Sequence, residues 1–442
     1  MNWKAYIVPF LITIIFKYSR GSNGCTPFRA KNLGSLNPTL LNPLIDKIKD
    51  YIPVFDESTV PNFSSIMEEF NAGSSNEDIH LNITALLRKY GYGAEQHQVK
   101  TSDGYLLNIY HIPGKGPVVL VMHGILCSSD VFVCTGPDVG LAYLLADLGY
   151  DVWLGNVRGN PYGRKHITLS PDCAEFWQFT WDEMGRYDLP ATIDYILKET
   201  KQEKLAYIAH SQGTTIFFVM ASELPEYNDK ISVMIALSAV SYLSHTKSLL
   251  LSTLSRLSDL GDFLAQAIGL YEFTPRNQFL DAITTIACST PWTASVFCDS
   301  FVFLFTGFDF LGANATILPA VYGHFPEGGS TKQLIHFGQL IVSGTFRKFD
   351  YGTLENLAKY GSATPPDYPL EKVTSKVAIF YADNDNYFSA AEDRAKLVAR
   401  LPNIIEQYRV PYTAFAHLDF LFGKNLKELV YDKVKDVLSK NV

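Results

Sequence analysis

The stretch from Leu205 to Met220, Leu-Ala-Tyr-Ile-Ala-His-Ser-Gln-Gly-Thr-Thr-Ile-Phe-Phe-Val-Met, constrains the chain more than any other. Leu205 to Ala209 is a short apolar run of strand character that stops at a cluster of small residues around Ser211. The apolar stretch from Thr214 to Leu224 then continues as a helix. Ala209-His210-Ser211-Gln212-Gly213 fits the sharp strand-to-helix turn G-x-S-x-G, with Ala in the first small position. Such a turn brings strand and helix backbones together beneath an outward-pointing serine, so positions 209 and 213 must be small. Alanine is the smallest enlargement of glycine and is expected to fit. A five-residue pattern also arises by chance, so the surrounding chain has to supply the context.

That context is an alternation. Ile83 to Tyr90 reads as a short amphipathic helix, and Gln96–Lys100, Tyr105–His111 and Val118–Met122 read as strands. A helix at Gly140–Leu148, a strand at Asp151–Leu154, a helix around Asp188–Lys198 and the strand at Leu205 follow. Ser232–Leu237 continues the pattern, and Val377–Tyr381 resumes it about 140 residues later. A helix at Ala390–Leu401, a strand near Glu406–Val410 and a closing helix at Leu426–Leu438 complete it. Strands alternating with helices imply an α/β architecture with a mostly parallel central sheet and helices on both faces. The interruption is as apolar as the rest and is read as an insertion, not a linker.

With 47 % hydrophobic and 13 % aromatic residues in 442, the chain can bury a large core. A formal net charge of −8 without any Lys/Arg-rich run argues against a nucleic-acid partner, which would call for a basic face. Residues 1–21 hold Lys4, the apolar run Ala5–Phe16 and small residues Ser19 and Gly21, the pattern of a secretory signal peptide. The apolar run is short for a bilayer span, which takes ~20 residues, and no later segment reads as transmembrane. Residues 22–78 form an Asn-, Ser- and Pro-rich N-terminal extension with one amphipathic helix over Leu44–Ile52, after Pro43. All six cysteines lie beyond the expected cut, where oxidation is possible, and 15 pairings are open. Cys288 with Cys298 and, more weakly, Cys127 with Cys134 are spaced to clasp local excursions. Asn62, Asn82 and Asn314 head glycosylation sequons.

Two further stretches bear on chemistry. Val119–Met122 is a buried strand ending in His123-Gly124-Ile125-Leu126, and in an α/β-hydrolase this turn offers a backbone N–H to a developing oxyanion. Ile125 is the expected donor, with Leu126 its neighbour in contention. The second N–H is that of Gln212, at the N-terminus of the elbow helix, where the dipole favours negative charge. An acid and a base must follow in the order Ser, Asp or Glu, His. Asp385 stands after the strand Val377–Tyr381, with Asp383 as its rival, and His417 is the only histidine after His336. Ser211, His417 and Asp385 then act as nucleophile, base and orienting acid. This chemistry needs no metal or cofactor, and no C-x-x-C or histidine cluster in the sequence suggests a zinc site. Trp153, Asn156, Arg158 and Asp188 read as scaffold.

These residues lie in longer motifs: Thr101-Ser-Asp-Gly-Tyr-Leu-Leu, His123-Gly-Ile-Leu, Leu141-Ala-Tyr-Leu-Leu-Ala-Asp-Leu-Gly-Tyr-Asp-Val-Trp-Leu-Gly-Asn-Val-Arg-Gly-Asn, His210-Ser-Gln-Gly-Thr-Thr and His417-Leu-Asp-Phe. From about Ile79 to Val442 the chain resembles the acid lipase family, the α/β-hydrolases that include gastric, lingual and lysosomal acid lipases, and its insect members in particular. The resemblance implies a hydrolase core over 79–243 and 375–442, with a large, mainly helical cap and lid over 244–374. It implies a nucleophile at Ser211, a triad acid at Asp385, a triad base at His417, oxyanion donors at Ile125 and Gln212, and a cap disulfide between Cys288 and Cys298. Ala209 stands where Gly is usual, and Asp383 where Gly is common. The implied activity is hydrolysis of lipid esters, triacylglycerol or sterol esters, by a secreted or lysosomal enzyme that meets a lipid–water interface. A carboxylesterase for smaller soluble esters shares every catalytic residue, and a catalytically inactive lipid-binding protein is the other alternative. Within the cap, apolar stripes such as Leu249–Leu257 and the run Phe301–Phe310 are expected to be mostly core, with some lining an acyl pocket.

Overall fold

The computed structural model describes residues 76–248, 255, 271–273 and 316–442. The expected signal peptide, the helix over Leu44–Ile52, the sequons at Asn62 and Asn314, the pair Cys288 and Cys298, and most of the cap's apolar stripes lie outside the described residues. The chain opens with helix α1 (Ile83–Lys89), then the antiparallel pair β1 (Glu95–Lys100) and β2 (Tyr105–Ile112). Next come β3 (Val118–Met122), α2 (Leu141–Asp147), β4 (Asp151–Leu154), the short β5 (Lys165–His166), α3 (Leu189–Thr200), β6 (Leu205–His210), α4 (Gln212–Glu223) and β7 (Ile231–Leu237). The inserted region contributes β8 (Glu272–Phe273), α5 (Leu318–His324), β9 (Gly329–Ser330), α6 (Thr331–Ser343) and α7 (Thr353–Tyr360). The core resumes with β10 (Val377–Tyr381), α8 (Ala391–Arg400), β11 (Ile404–Arg409), α9 (Asp419–Phe422) and α10 (Asp432–Asn441).

The main sheet runs β1-β2-β4-β3-β6-β7-β10-β11, with β5 paired to β2. Pairing is antiparallel from β1 to β4 and parallel from β4 to β11. Strands β3, β4 and β6 are buried along their whole length, because a parallel strand covered on both faces has no polar side to show. Register sets the function-bearing edge: Met122 pairs with Ala209, His210 with Leu237, and Leu237 with Phe380. The segments that follow these residues therefore leave the sheet along one carboxyl edge, the place where open α/β sheets bind ligands. The elbow helix starts at Gln212, two residues earlier than its apolar pattern suggests. The closing helix is a π-turn at Lys427–Tyr431 followed by α10.

Arg158 is buried and joins separate parts of the scaffold. Its Nε and Nη2 donate to Asp188 Oδ1 at 2.8 and 2.6 Å, and its Nη1 and Nη2 reach Asp103 at 2.6 and 2.8 Å. The guanidinium lies 4.0 Å from the centroid of the Tyr105 ring. Asn156 similarly bridges β2 and the loop after β3, donating to Asn108 O at 3.0 Å and accepting from Ser129 N at 2.9 Å. The expected link between Cys127 and Cys134 is not made: both are free, buried thiols. They flank a tight turn, Ser129–Phe132, and pack as small apolar groups in the core. Burial raises both thiols above their ordinary range. Cys173 is disulfide-bonded, and its partner lies outside the described residues. Asn82 sits at the exposed N-cap of α1, its side chain accepting from Ala85 N at 3.0 Å. Among the described residues no helix is long and apolar enough to cross a membrane.

Three buried histidines make the fold sensitive to acid. Burial lowers His123 to about 4 and His210 and His336 to about 3. His336 is stacked 3.7 Å above Trp181, and its Nε2 is 3.0 Å from Arg347 O. In the unfolded chain each imidazole takes a proton near pH ~6.5. Below that pH the unfolded state binds more protons, so stability present above pH ~6.5 is lost as the pH falls toward the folded values. Asp182 works the other way, because burial and the negative charge of Glu183 raise its carboxyl to about 6. The net of about two protons predicts a loss of roughly 3 kcal/mol per pH unit between pH 6 and 4.5. Urea denaturation across that range measures it, and His336→Phe, if folded, is expected to flatten the slope by about one half. An unchanged slope would show that His336 does not stay neutral.

Candidate active site

Ser211 sits at φ +53° and ψ −124°, between the last residue of β6 and the first of α4. A non-glycine residue held there costs about 1–3 kcal/mol and persists only when its surroundings over-determine it. Here they do. Ser211 N donates to Leu237 O on β7 at 3.1 Å, and Ser211 O accepts from Thr214 N at 2.8 Å and Thr214 Oγ1 at 2.6 Å. The close approach beneath the serine explains the small residues. A Cβ on Gly213 would lie 2.8 Å from the carbonyl oxygens of both Met122 and His123. On Gly124 it would meet Ser211 Cβ at 2.9 Å. The methyl group of Ala209 fits because it faces Gly213, which has no side chain to oppose it.

The ordered acid and base arrive at this serine. His417 Nε2 is 2.8 Å from Ser211 Oγ, and His417 Nδ1 is 3.1 and 3.2 Å from the two oxygens of Asp385. All three residues are buried. Burial opposes ionisation of Asp385, but the positive charge available on His417 and hydrogen bonds from His417 and Ser238 outweigh it and hold the carboxyl below its ordinary range. Asp385 thus stays ionised, orients Nδ1–H toward itself and leaves Nε2 to accept from Ser211. Asp383, the rival, is half-exposed and tied to the Arg409 guanidinium, with Arg409 Nε 2.9 Å from its Oδ2.

Sequence reasoning missed two neighbours of the triad. Ser238, at the carboxyl end of β7 with φ +56°, donates its Oγ–H to Asp385 Oδ2 and lies 2.7 Å from His417 Nδ1. Its position just past a parallel strand was the available signal. His210, buried and neutral, donates Nε2–H to the carbonyl of His417 at 2.9 Å and so fixes the loop that carries the base. The ring of Phe388 covers His417 from 4.6 Å.

The two expected oxyanion donors belong to the turn after β3 and to the first residue of α4. Leu126 adopts φ +55°, and its carbonyl accepts from Glu327 N at 2.7 Å. Gln212 donates its side-chain Nε2 to Gln333 Oε1 on α6 at 2.9 Å and touches Met184 Sδ at 3.5 Å. The inserted region therefore grips both elements that face the serine. Gln333 is 121 residues from Gln212, and no local pattern points to it.

The geometry is that of a serine hydrolase on an α/β-hydrolase sheet. Residues 117–280 match the family model described as the alpha/beta hydrolase fold, and residues 83–136 match a partial alpha/beta-hydrolase lipase region. Gastric triacylglycerol lipase of Rattus norvegicus is 36% identical over 380 residues, 84% of this chain and 94% of its own length. Lipase 3 of Drosophila melanogaster is 40% identical over 352 residues, 78% and 89% of the two chains. Lipase member K of Homo sapiens is 36% identical over 370 residues, 81% and 90%. The chain belongs to the acid lipase family of α/β-hydrolases.

The contact between Gln333 and Gln212 gives a test of the site's assembly. Gln333→Leu leaves the buried amide of Gln212 without its acceptor and loosens the first turn of α4. The rate at which a fluorophosphonate labels Ser211 is expected to drop roughly tenfold, since phosphonylation uses the same donors as acyl transfer. Gln333→Glu keeps the acceptor and should retain most of the rate. Equal labelling by wild type and Gln333→Leu would remove Gln333 from the site.

Proposed function

We propose that this chain is a secreted or lysosomal lipase that hydrolyses carboxylic esters of lipids, triacylglycerol or sterol esters, by two-step acyl transfer. The observation that carries the reading is the continuous hydrogen-bonded line from Ser211 through His417 to Asp385 on the carboxyl edge of the sheet. Ser211 Oγ attacks the ester carbonyl while His417 Nε2 takes its proton. The N–H groups of Ile125 and Gln212 receive the oxyanion of the tetrahedral intermediate, and Gln212 adds the positive end of the α4 dipole. His417 returns the proton to the leaving alcohol. It then activates water, which releases the acid from the acyl-enzyme.

The lipid substrate class is supported by the relatives, named as lipases, that match most of the chain. It is also supported by the insertion over 244–374, whose Gln333 and Glu327 bond to Gln212, next to the serine, and to Leu126 on the turn after β3. We take this region as the cap that selects long acyl chains. The apolar run Ala5–Phe16 supports the secretory route, and exposed Asn82 is offered as a glycan acceptor on it.

Ser211→Ala is expected to retain lipid binding and to lose roughly 10⁴- to 10⁶-fold in kcat. Assays on triglyceride or sterol-ester emulsion beside a soluble short-chain ester check the substrate class. A clear preference for the emulsion supports a lipase. A preference for the short soluble ester would replace that reading with a carboxylesterase, and hydrolysis by Ser211→Ala, or none by wild type, would remove the acyl-transfer mechanism.

A further inference from the structure

We propose that the edge of the sheet formed by β1 and β2 carries a zinc-class divalent metal site made by Glu95, His97 and His111. Strand alternation puts Glu95 and His97, two residues apart on β1, on one face, and the antiparallel register sets His111 directly opposite Glu95. The three side chains offer one carboxylate oxygen and two imidazole nitrogens that all lie within 4.8 Å of one another. Glu95 Oε2 is 2.9 Å from His111 Nδ1 and 3.5 Å from His97 Nε2. Tetrahedral zinc with bonds of about 2.0–2.2 Å wants its ligand atoms roughly 3.3 Å apart, so small side-chain rotations close the set. Two imidazoles and one carboxylate are a recurrent zinc ligand set that leaves a fourth position for water.

What raises this above three polar neighbours is the support behind the rings. A metal-bound histidine generally donates its far N–H to a carboxylate, carbonyl or hydroxyl, which fixes both tautomer and orientation. His111 meets Asp151 Oδ1 through Nε2 at 2.7 Å, and Asp151 is itself held by Trp153 Nε1 at 3.0 Å and Gly114 N at 2.9 Å. His97 meets the Tyr195 hydroxyl through Nδ1 at 3.0 Å. Each near nitrogen is thereby turned toward Glu95. His97 Nε2 is out of contact with water and makes no close hydrogen bond; the polar atom it faces is Glu95 Oε2 at 3.5 Å, a gap that a metal ion would bridge. The rings are also braced: His111 stacks on Trp153 at 4.1 Å and 13°, and His97 lies 4.7 Å from the same indole. Glu95, with its side chain 55% exposed, supplies the ion's route from solvent.

The ligands are contributed by β1 and β2, and their supports by β4 and α3, so the ion would pin the edge strand β1 to the sheet. The site stands apart from Ser211 and does not depend on how that serine is used. Untagged full-length protein stripped with chelator is expected to take up one equivalent of zinc(II) by calorimetry. Cobalt(II) should give the intense visible bands of a tetrahedral ion. His97→Gln and Glu95→Gln should lower zinc affinity at least 100-fold, and Asp151→Asn 10- to 100-fold, with Ser211 labelling unchanged. Zinc should raise the thermal midpoint of wild type and leave His97→Gln unmoved. No saturable uptake at 100-fold excess zinc by protein that still labels at Ser211 would overturn the proposal. So would equal affinity in wild type and the folded His97→Gln variant.

Discussion

The close approach of the β6–α4 turn to β3 is the constraint on which the rest of the site depends. Ser211 can hold φ +53° only because its N–H is fixed to β7 and its carbonyl caps α4. It can stand clear of the sheet only because Gly213 lets the helix come down on the carbonyls of Met122 and His123. The same turn that exposes the hydroxyl begins α4, so Ser211 and the first N–H of the helix are set by a single piece of backbone. A larger residue at 213 or 124 would push α4 or the His-Gly turn away from the serine.

Much of this arrangement was legible in the chain, for a physical reason. Parallel strands buried on both faces are short, nearly pure apolar runs, and their carboxyl ends are marked by the small or polar residues that follow. Val118–Met122, Leu205–His210 and Val377–Tyr381 all carry that mark, which places Ser211 and Asp385 on one edge from the sequence alone. His417 followed from order alone. What stayed hidden depends on long-range pairing. The link from Gln212 to Gln333 crosses 121 residues, and Glu95, His97 and His111 meet only through strand register. The spacing that suggested a Cys127–Cys134 bridge failed because it says nothing of a turn that buries both thiols separately.

The inserted region acts on the core through backbone and amide contacts as well as apolar cover. Glu327 N on the carbonyl of Leu126 and Gln333 on the side chain of Gln212 fix the two segments that flank the serine. His324 extends the same connection, with Nδ1 2.8 Å from Asp130 and Nε2 2.7 Å from the carbonyl of Asp78. Movement of residues 324–333 would be felt at the turn after β3 and at the start of α4 together.

The charges around the serine complete this logic. Three imidazoles, those of His123, His210 and His417, crowd the carboxyl edge, and a cation on any of them would alter the field at Ser211. Burial prevents it for two: His123 is lowered to about 4 and His210 to about 3, so each remains a neutral, orienting ring. The fixed charge of the centre is then the carboxylate of Asp385, whose oxygens are occupied by Ser238 and His417. That leaves His417 as the one imidazole of the three both joined to a carboxylate and in reach of the serine hydroxyl, so the proton moved in acyl transfer has a single defined path. The burial that keeps His123 and His210 neutral beside the serine is the same burial that costs the fold stability in acid.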